Sequence, residues 1–175
     1  FKTILGFLRP VAGTLRIADA APGSQQARMA VSYLPEAVAF PKMLTGDEII
    51  GYFARLKGEP VARGQQLLET VGLGQEAARR RVGTYSKGMR QRLGLAQALI
   101  GRPRVMLLDE PASGLDPISR MEFYEIIDRV SADWTAVILS SHALTEVEAR
   151  TDRVAILAKG RLVADAPLAE LSRRA

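Results

Sequence analysis

The stretch Val105-Met106-Leu107-Leu108-Asp109-Glu110-Pro111-Ala112-Ser113-Gly114-Leu115-Asp116-Pro117 decides the reading of this chain. Its aliphatic run lacks the polar alternation of a half-solvated strand, so it predicts a strand buried on both faces, as in a parallel sheet covered by helices. The run stops at two adjacent carboxylates. Open α/β sheets bind ligands at the carboxyl edge of their strands, which is where Asp109 and Glu110 would stand. Taken alone, the pair is read equally well as an acidic loop kept polar for solubility.

Working outward, Met121, Tyr124, Glu125 and Asp128 predict a helix, and Ala136-Val137-Ile138-Leu139 repeats the aliphatic run. Val154-Ala155-Ile156-Leu157 adds a strand, with Lys159-Gly160-Arg161 a tight turn into Leu162-Val163. Upstream, Met29-Ala30-Val31-Ser32-Tyr33-Leu34 reads as a buried strand ending at Pro35. Thr45 and Glu48 form a capping box ahead of a helix bearing Ile49, Ile50, Phe53 and Leu56. A second helix is predicted around Leu67, Leu68 and Val71, bounded by Pro60 and by Gly72 and Gly74. A third starts at Ser86, carries Met89, Leu93, Ala96 and Leu99 on one face, and stops at Gly101-Arg102-Pro103. Phe1, Ile4, Leu5 and Leu8 recur at helical spacing until Pro10 and Gly13 interrupt them before the alternating Thr14-Leu15-Arg16-Ile17. Strands alternating with helices predict an α/β core over 1–40 and 101–175, with 41–100 a helical side lobe of the same single domain.

Composition narrows the function classes. A length of 175 residues suits one domain, and 47% hydrophobic with 25% charged residues is ordinary for a globular chain rather than a disordered or fibrous one. With no cysteine, disulfide scaffolds, thiol metal sites and thiol nucleophiles are excluded. No apolar run approaches the roughly 20 residues of a membrane span, so membrane contact is expected through a partner. The net charge of +5 suits anionic surfaces, yet the arginines are scattered. The one dense run, Arg79-Arg80-Arg81, reads as a solvated turn.

Four segments, in this order, carry a resemblance: Tyr85-Ser86-Lys87-Gly88-Met89-Arg90-Gln91-Arg92, Val105 to Glu110, Gly114 to Asp116, and Ser140-Ser141-His142. They are similar to the signature loop, Walker B strand, D-loop and switch histidine of ABC transporter ATPases, and the resemblance covers essentially the whole chain. It implies a P-loop NTPase fold, a core sheet with helices on both faces plus a helical signature subdomain, with ATP and Mg²⁺ as cofactors. It assigns the metal to Asp109, through a water because Mg²⁺ keeps several of its own. Glu110 would handle the attacking water as general base. His142, the sole histidine, would contact the γ-phosphate, although a lone histidine in a turn also has a structural reading. Ser86 and Gly88 would hold phosphate at a helix amino terminus, and Ser86 as a plain N-cap is compatible with that. Asp116 joins the nucleotide contacts, and Glu36, at the Q-loop position, would approach Mg²⁺. The implied partners are a membrane subunit and a second ATP-binding subunit in a head-to-tail homodimer, at the cytoplasmic face of a bacterial inner membrane. No nucleic-acid partner is expected.

The chain departs from the family pattern at Lys87 and Met89, where glycine and glutamine are usual, and at Glu36, where glutamine is. No lysine follows a glycine, so the G-x-x-x-x-G-K-[ST] phosphate loop is not found. Its expected place is immediately before residue 1, which would leave this chain without the P-loop strand. Among ABC subunits, Tyr33-Leu34-Pro35-Glu36, Phe53 to Gly58, Tyr85 to Arg92 and Leu115-Asp116-Pro117-Ile118 are most similar to export-type ATPases, in particular that of the Nos system for copper delivery to nitrous-oxide reductase. A non-transport ABC ATPase acting on nucleic acid or ribosomes, and an inactive remnant, are the alternatives that the sequence leaves open.

Overall fold

Two-sided burial of Val105–Asp109 organises the first part of the molecule. In the computed structural model, which describes residues 1–131, 135–143 and 151–171, β1 (Val31–Leu34), β2 (Val105–Asp109) and β3 (Ala136–Ser140) form a parallel sheet with β2 in the middle. Leu34 pairs with Leu108 and Asp109 with Ser140, so the strands run out together at one edge. Met106, Leu107 and Leu108 are each 0% exposed. The pleat sends Met106 and Leu108 into the larger core with Leu34, Leu93 and Phe123, and Leu107 into the smaller one with Ala27 and Val31. The continuous aliphatic run is thus accounted for by apolar layers on both sides.

Parallel strands need long crossovers, and helices supply them. Between β1 and β2 lie α2 (Gly46–Leu56), α3 (Val61–Thr70), the short α4 (Gln75–Ala78), a 3₁₀ turn at Val82–Thr84, and α5 (Lys87–Leu99); α6 (Pro117–Ser131) joins β2 to β3. The predicted capping box is present: the Glu48 carboxylate accepts from the Thr45 amide at 2.7 Å, and Thr45 Oγ1 accepts from the Glu48 amide at 3.2 Å. Its N–H and hydroxyl donors hold the Glu48 carboxyl below the usual range. Helix α5 lies close against the sheet. A Cβ on Gly94 would meet Leu34 Cδ1 at 2.7 Å and the Val38 methyls at 3.1 Å, so only glycine lets the helix approach this far. Arg92 of α5 pairs with Glu122 of α6.

The amino-terminal region differs from expectation in three places. Phe1 to Leu8 is a succession of turns rather than a helix, with Leu5 N–H donating to the Phe1 carbonyl at 2.9 Å. Its apolar residues Phe1, Ile4 and Leu5 nevertheless pack on the smaller core, which is what their spacing reported. Met29 and Ala30 belong to a helix, α1 (Gln25–Ala30), capped by Ser24, whose hydroxyl accepts from the Ala27 amide. Ala27 and Ala30, three apart, face the core, so helical periodicity prevails until Val31. Thr14 to Ile17 forms no strand. Ile17 instead pairs with Ala20 around Ala18 and Asp19, both at positive φ (47° and 66°), a reversal too tight to leave a ladder.

From Ser141 onward the chain forms a separate compact unit. Its β4 (Arg153–Ala158) and β5 (Arg161–Pro167) make an antiparallel hairpin closed by Lys159 and Gly160 at φ 50° and 75°, the mirror-image turn that matches strand twist. A helical turn at Leu168–Leu171 follows. No helix among the described residues is long and apolar enough to cross a membrane.

Two predictions concern this framework. Gly94→Ala adds about 1 kcal/mol of helix propensity but overpacks a buried wall at a cost of about 1–3 kcal/mol, so the urea midpoint should fall; a raised midpoint would show that Leu34 and Val38 yield. At the start of α6, Asp116 Oδ1 accepts from the Ser119 amide at 3.0 Å, with Pro117 at the first helical position. The Ser119 hydroxyl and amide hold the Asp116 carboxyl below its ordinary range. A depressed carboxyl contributes stability above its unfolded-state value and loses it as pH falls through the folded-state value. NMR titration should find Asp116 below the ordinary aspartate range and find it raised in Ser119→Ala.

Candidate active site

Because β2 is apolar on both faces, its first polar side chain comes where it leaves the sheet, and that is Asp109. Two donors hold it. Ser140 Oγ, the register partner at the end of β3, donates to Asp109 Oδ1 at 2.6 Å, and Tyr33 Oη of β1 donates to Oδ2 at 3.1 Å. Burial first, then the Asp109 hydrogen bond and charge, raise the Tyr33 phenol above its usual range, so it stays a donor. Each Asp109 oxygen retains further acceptor capacity beyond these bonds.

Glu110 is turned out of the strand by its backbone. Its φ is 45°, a left-handed conformation that non-glycine residues adopt at a cost of order 1–3 kcal/mol, and such residues cluster at functional sites. The conformation is pinned on both sides. Its N–H donates to the Ser140 carbonyl (3.2 Å) and hydroxyl (3.1 Å), while its carbonyl accepts from the Ser113 amide at 3.0 Å. One hydroxyl, that of Ser140, therefore donates to the Asp109 carboxylate and accepts from the Glu110 backbone N–H, setting the Asp109 side chain relative to the Glu110 backbone.

Glu36 lies on the loop after β1, and its Oε1 accepts from Ser113 Oγ at 3.0 Å, which brings it beside the same turn. Among the described residues no group of three or more histidine, aspartate or glutamate side chains gathers as a metal cage. A lone strand-end carboxylate held by hydroxyls fits a cation that keeps its own waters and takes phosphate oxygens, as Mg²⁺ does, and does not fit one needing an all-protein shell.

At α5, Ser86 is the N-cap, its hydroxyl accepting from the Met89 amide at 3.2 Å. Tyr85, buried, anchors this start by donating to the Ala77 carbonyl at 2.7 Å. Gly88 faces Leu115 and Ser119, so this loop and the turn around Gly114 lie side by side in one chain. The departure at Lys87 has a structural counterpart there. A Cβ on Gly114 would stand 2.6 Å from Lys87 Nζ, so glycine at φ 64° makes the room that the ammonium occupies. His142 belongs to the second unit, exposed, in a bend where Ser141 Oγ accepts from the Ala143 amide at 3.1 Å.

The structure thus gathers Asp109, Glu110 and Glu36 on one sheet edge, and Asp116 caps α6 beyond it. Sequence reasoning missed Tyr33, Ser113 and Ser140 as holders of the carboxylates. Parallel register makes strand-end residues neighbours, and that was the available signal for Ser140; nothing local marked Tyr33 or Ser113.

Comparison with known proteins identifies the family. The ABC transporter family model matches residues 1–113. The chain is 40% identical over 175 residues to the uncharacterized ABC transporter ATP-binding protein sll0415 of Synechocystis sp., covering 97% of this chain and 49% of the relative. It is 37% identical over 171 residues to the fluoroquinolones export ATP-binding protein Rv2688c of Mycobacterium tuberculosis, covering 95% and 56%. The chain therefore spans about half the length of these curated relatives. A solved ATP binding subunit of an ABC transporter superposes with a TM-score of 0.86 at 27% identity, over 99% of this chain and 74% of that one. On sequence and on fold, this chain belongs to the ATP-binding family of ABC transporters.

Proposed function

We propose that the protein containing this chain hydrolyses ATP with Mg²⁺ and couples hydrolysis to transport by a membrane subunit. The observation that carries this is Asp109 and Glu110 at the carboxyl edge of the sheet, with one serine hydroxyl setting the Asp109 side chain relative to the Glu110 backbone. Phosphoryl transfer needs mainly positioning and charge neutralisation. Asp109 would hold Mg²⁺ through its water, and the metal supplies charge neutralisation on the phosphate oxygens. Glu110, at φ 45° just past the end of β2, is the base that orients or deprotonates the attacking water. For His142, the donor role rests on the resemblance of its segment, as does the nucleotide contact of Asp116. Ser86 and Gly88 offer N–H groups at the mouth of α5, a helix long enough for its dipole to favour anions, and in this reading they serve the nucleotide of a second copy. The division into an α/β core and a helical lobe over 41–100 follows from the same reading.

Export is the favoured direction, supported by the export-type motifs and by the named function of the mycobacterial relative. Copper delivery of the Nos type is the narrower reading of the motifs at Tyr33 to Glu36, Phe53 to Gly58, Tyr85 to Arg92 and Leu115 to Ile118. Cargo is chosen by membrane subunits, which makes peripheral attachment at the cytoplasmic membrane face part of the proposal.

In the full-length protein, Glu110→Gln should slow steady-state ATP hydrolysis by roughly 10²–10⁴-fold, the range for losing a general base; an unchanged rate refutes the role. Head-to-tail pairing is tested by mixing Glu110→Gln with Ser86→Arg, each inactive alone. A mixed dimer has one composite site with both lesions and one with neither, so activity should return. No recovery despite verified exchange of subunits would exclude shared sites.

A further inference from the structure

Gln91 is 1% exposed in the second turn of α5. Its Nε2 donates to the Glu36 carbonyl at 3.1 Å, while its Oε1 is buried with no hydrogen-bond partner among the described residues. An orphaned buried acceptor costs about 1–3 kcal/mol, so an apolar side chain would serve the core better than this amide. What the amide does supply is a fixed position for Glu36. The packing around it is rigid in the same sense, since Gly94, one turn further along α5, is wedged against Leu34 and Val38 on either side of Glu36.

On its other end, Glu36 is tied to the turn after β2. Glu36 Oε1 accepts from Ser113 Oγ at 3.0 Å, and the Ser113 amide donates to the Glu110 carbonyl at 3.0 Å. Three hydrogen bonds in series, Gln91 to Glu36, Glu36 to Ser113, and Ser113 to Glu110, therefore run from the buried face of α5 to the residue held in a left-handed conformation. We propose that Glu36 is a positioning residue for Glu110: its carboxylate holds the Ser113 hydroxyl and thereby the Glu110–Ser113 turn that aims the Glu110 side chain, with Gln91 anchoring Glu36 from behind. This rests on the reading of Glu110 as the base. A left-handed backbone has little intrinsic preference to persist, so the turn depends on such outside ties. Ser140 fixes Glu110 from the amide side, and the Glu36–Ser113 bond fixes the turn from the carbonyl side.

The test is steady-state ATP hydrolysis by the full-length protein with its partner subunits, comparing Glu36→Ala, Ser113→Ala, the double variant, Glu36→Gln and Gln91→Met, each first shown to melt cooperatively. Losing one hydrogen bond corresponds to about a 3- to 10-fold effect, so Glu36→Ala and Ser113→Ala should each lower kcat by about that factor with KM for MgATP little changed. The double variant should be no slower than the slower single one, because both remove the same bond. Glu36→Gln should recover most of kcat, its amide oxygen still accepting from Ser113, and Gln91→Met should show a partial loss of kcat. Half-maximal activity should require the same Mg²⁺ concentration in every variant. The proposal is overturned by multiplicative losses in the double variant, by Glu36→Gln as slow as Glu36→Ala, or by a raised Mg²⁺ requirement in Glu36→Ala that Ser113→Ala lacks, the last returning Glu36 to the metal. Glu110→Gln measured alongside separates the two readings: if it is fully active, the assignment of Glu110 fails first.

Discussion

A strand covered by apolar layers on both faces cannot bear a polar side chain until it leaves the sheet, because an unpaired charge in such a layer is prohibitively costly. In this molecule that strand is Val105–Asp109, and the rest is arranged around its exit. The interior positions Met106, Leu107 and Leu108 serve two different cores. Asp109 and Glu110 are then the first charged residues at the end of the strand, and the parallel register brings the ends of both neighbouring strands beside them. Ser140 is the register partner of Asp109, and Tyr33, paired with Leu107, reaches it with its long side chain, although they lie 31 and 76 residues from Asp109 in the chain.

The helical crossover between the first two strands is long, yet its last helix returns to the sheet with little slack. Gly94 removes the one atom that would hold α5 off Leu34 and Val38. That approach lets Gln91 reach the loop after β1, and it sets the mouth of α5, with Ser86 and Lys87, against the turn carrying Gly114. Two glycines thus act in opposite ways. Gly94 permits close packing of a helix, whereas Gly114 takes a backbone conformation and leaves a space that a neighbouring lysine fills. An ammonium lying on the Gly114 turn adds positive charge beside the mouth of α5.

Much of this was legible from residue order, and for reasons of short range. The continuous aliphatic run of β2 located the central strand, because burial on both faces leaves no alternation, whereas the similar run of β3 leaves Ile138 exposed. Capping boxes, helix faces and the Lys159-Gly160 turn were readable because they are set by residues within four positions of one another. The amino-terminal region was misread where local signals were weak. The apolar spacing of Phe1 to Leu8 is equally served by turns that bury the same side chains, and Met29 follows the helical period of Ala27 and Ala30 although its neighbours read as strand.

The residues of the candidate site, Asp109, Glu110, Glu36, Ser86 and Gly88, were picked out by the sequence itself, since strand ends and helix mouths are local features and the family motifs run through them. What holds those residues was decided only by tertiary structure. The Ser140 hydroxyl, the Tyr33 phenol, the Ser113 link and the buried Gln91 amide act across separations of 30 to 77 residues, apart from the short tie of Ser113 to Glu110. Hydrogen bonds are effective only within about 3 Å, and which distant groups come that close is determined by strand register and helix packing, not by the order of neighbours along the chain.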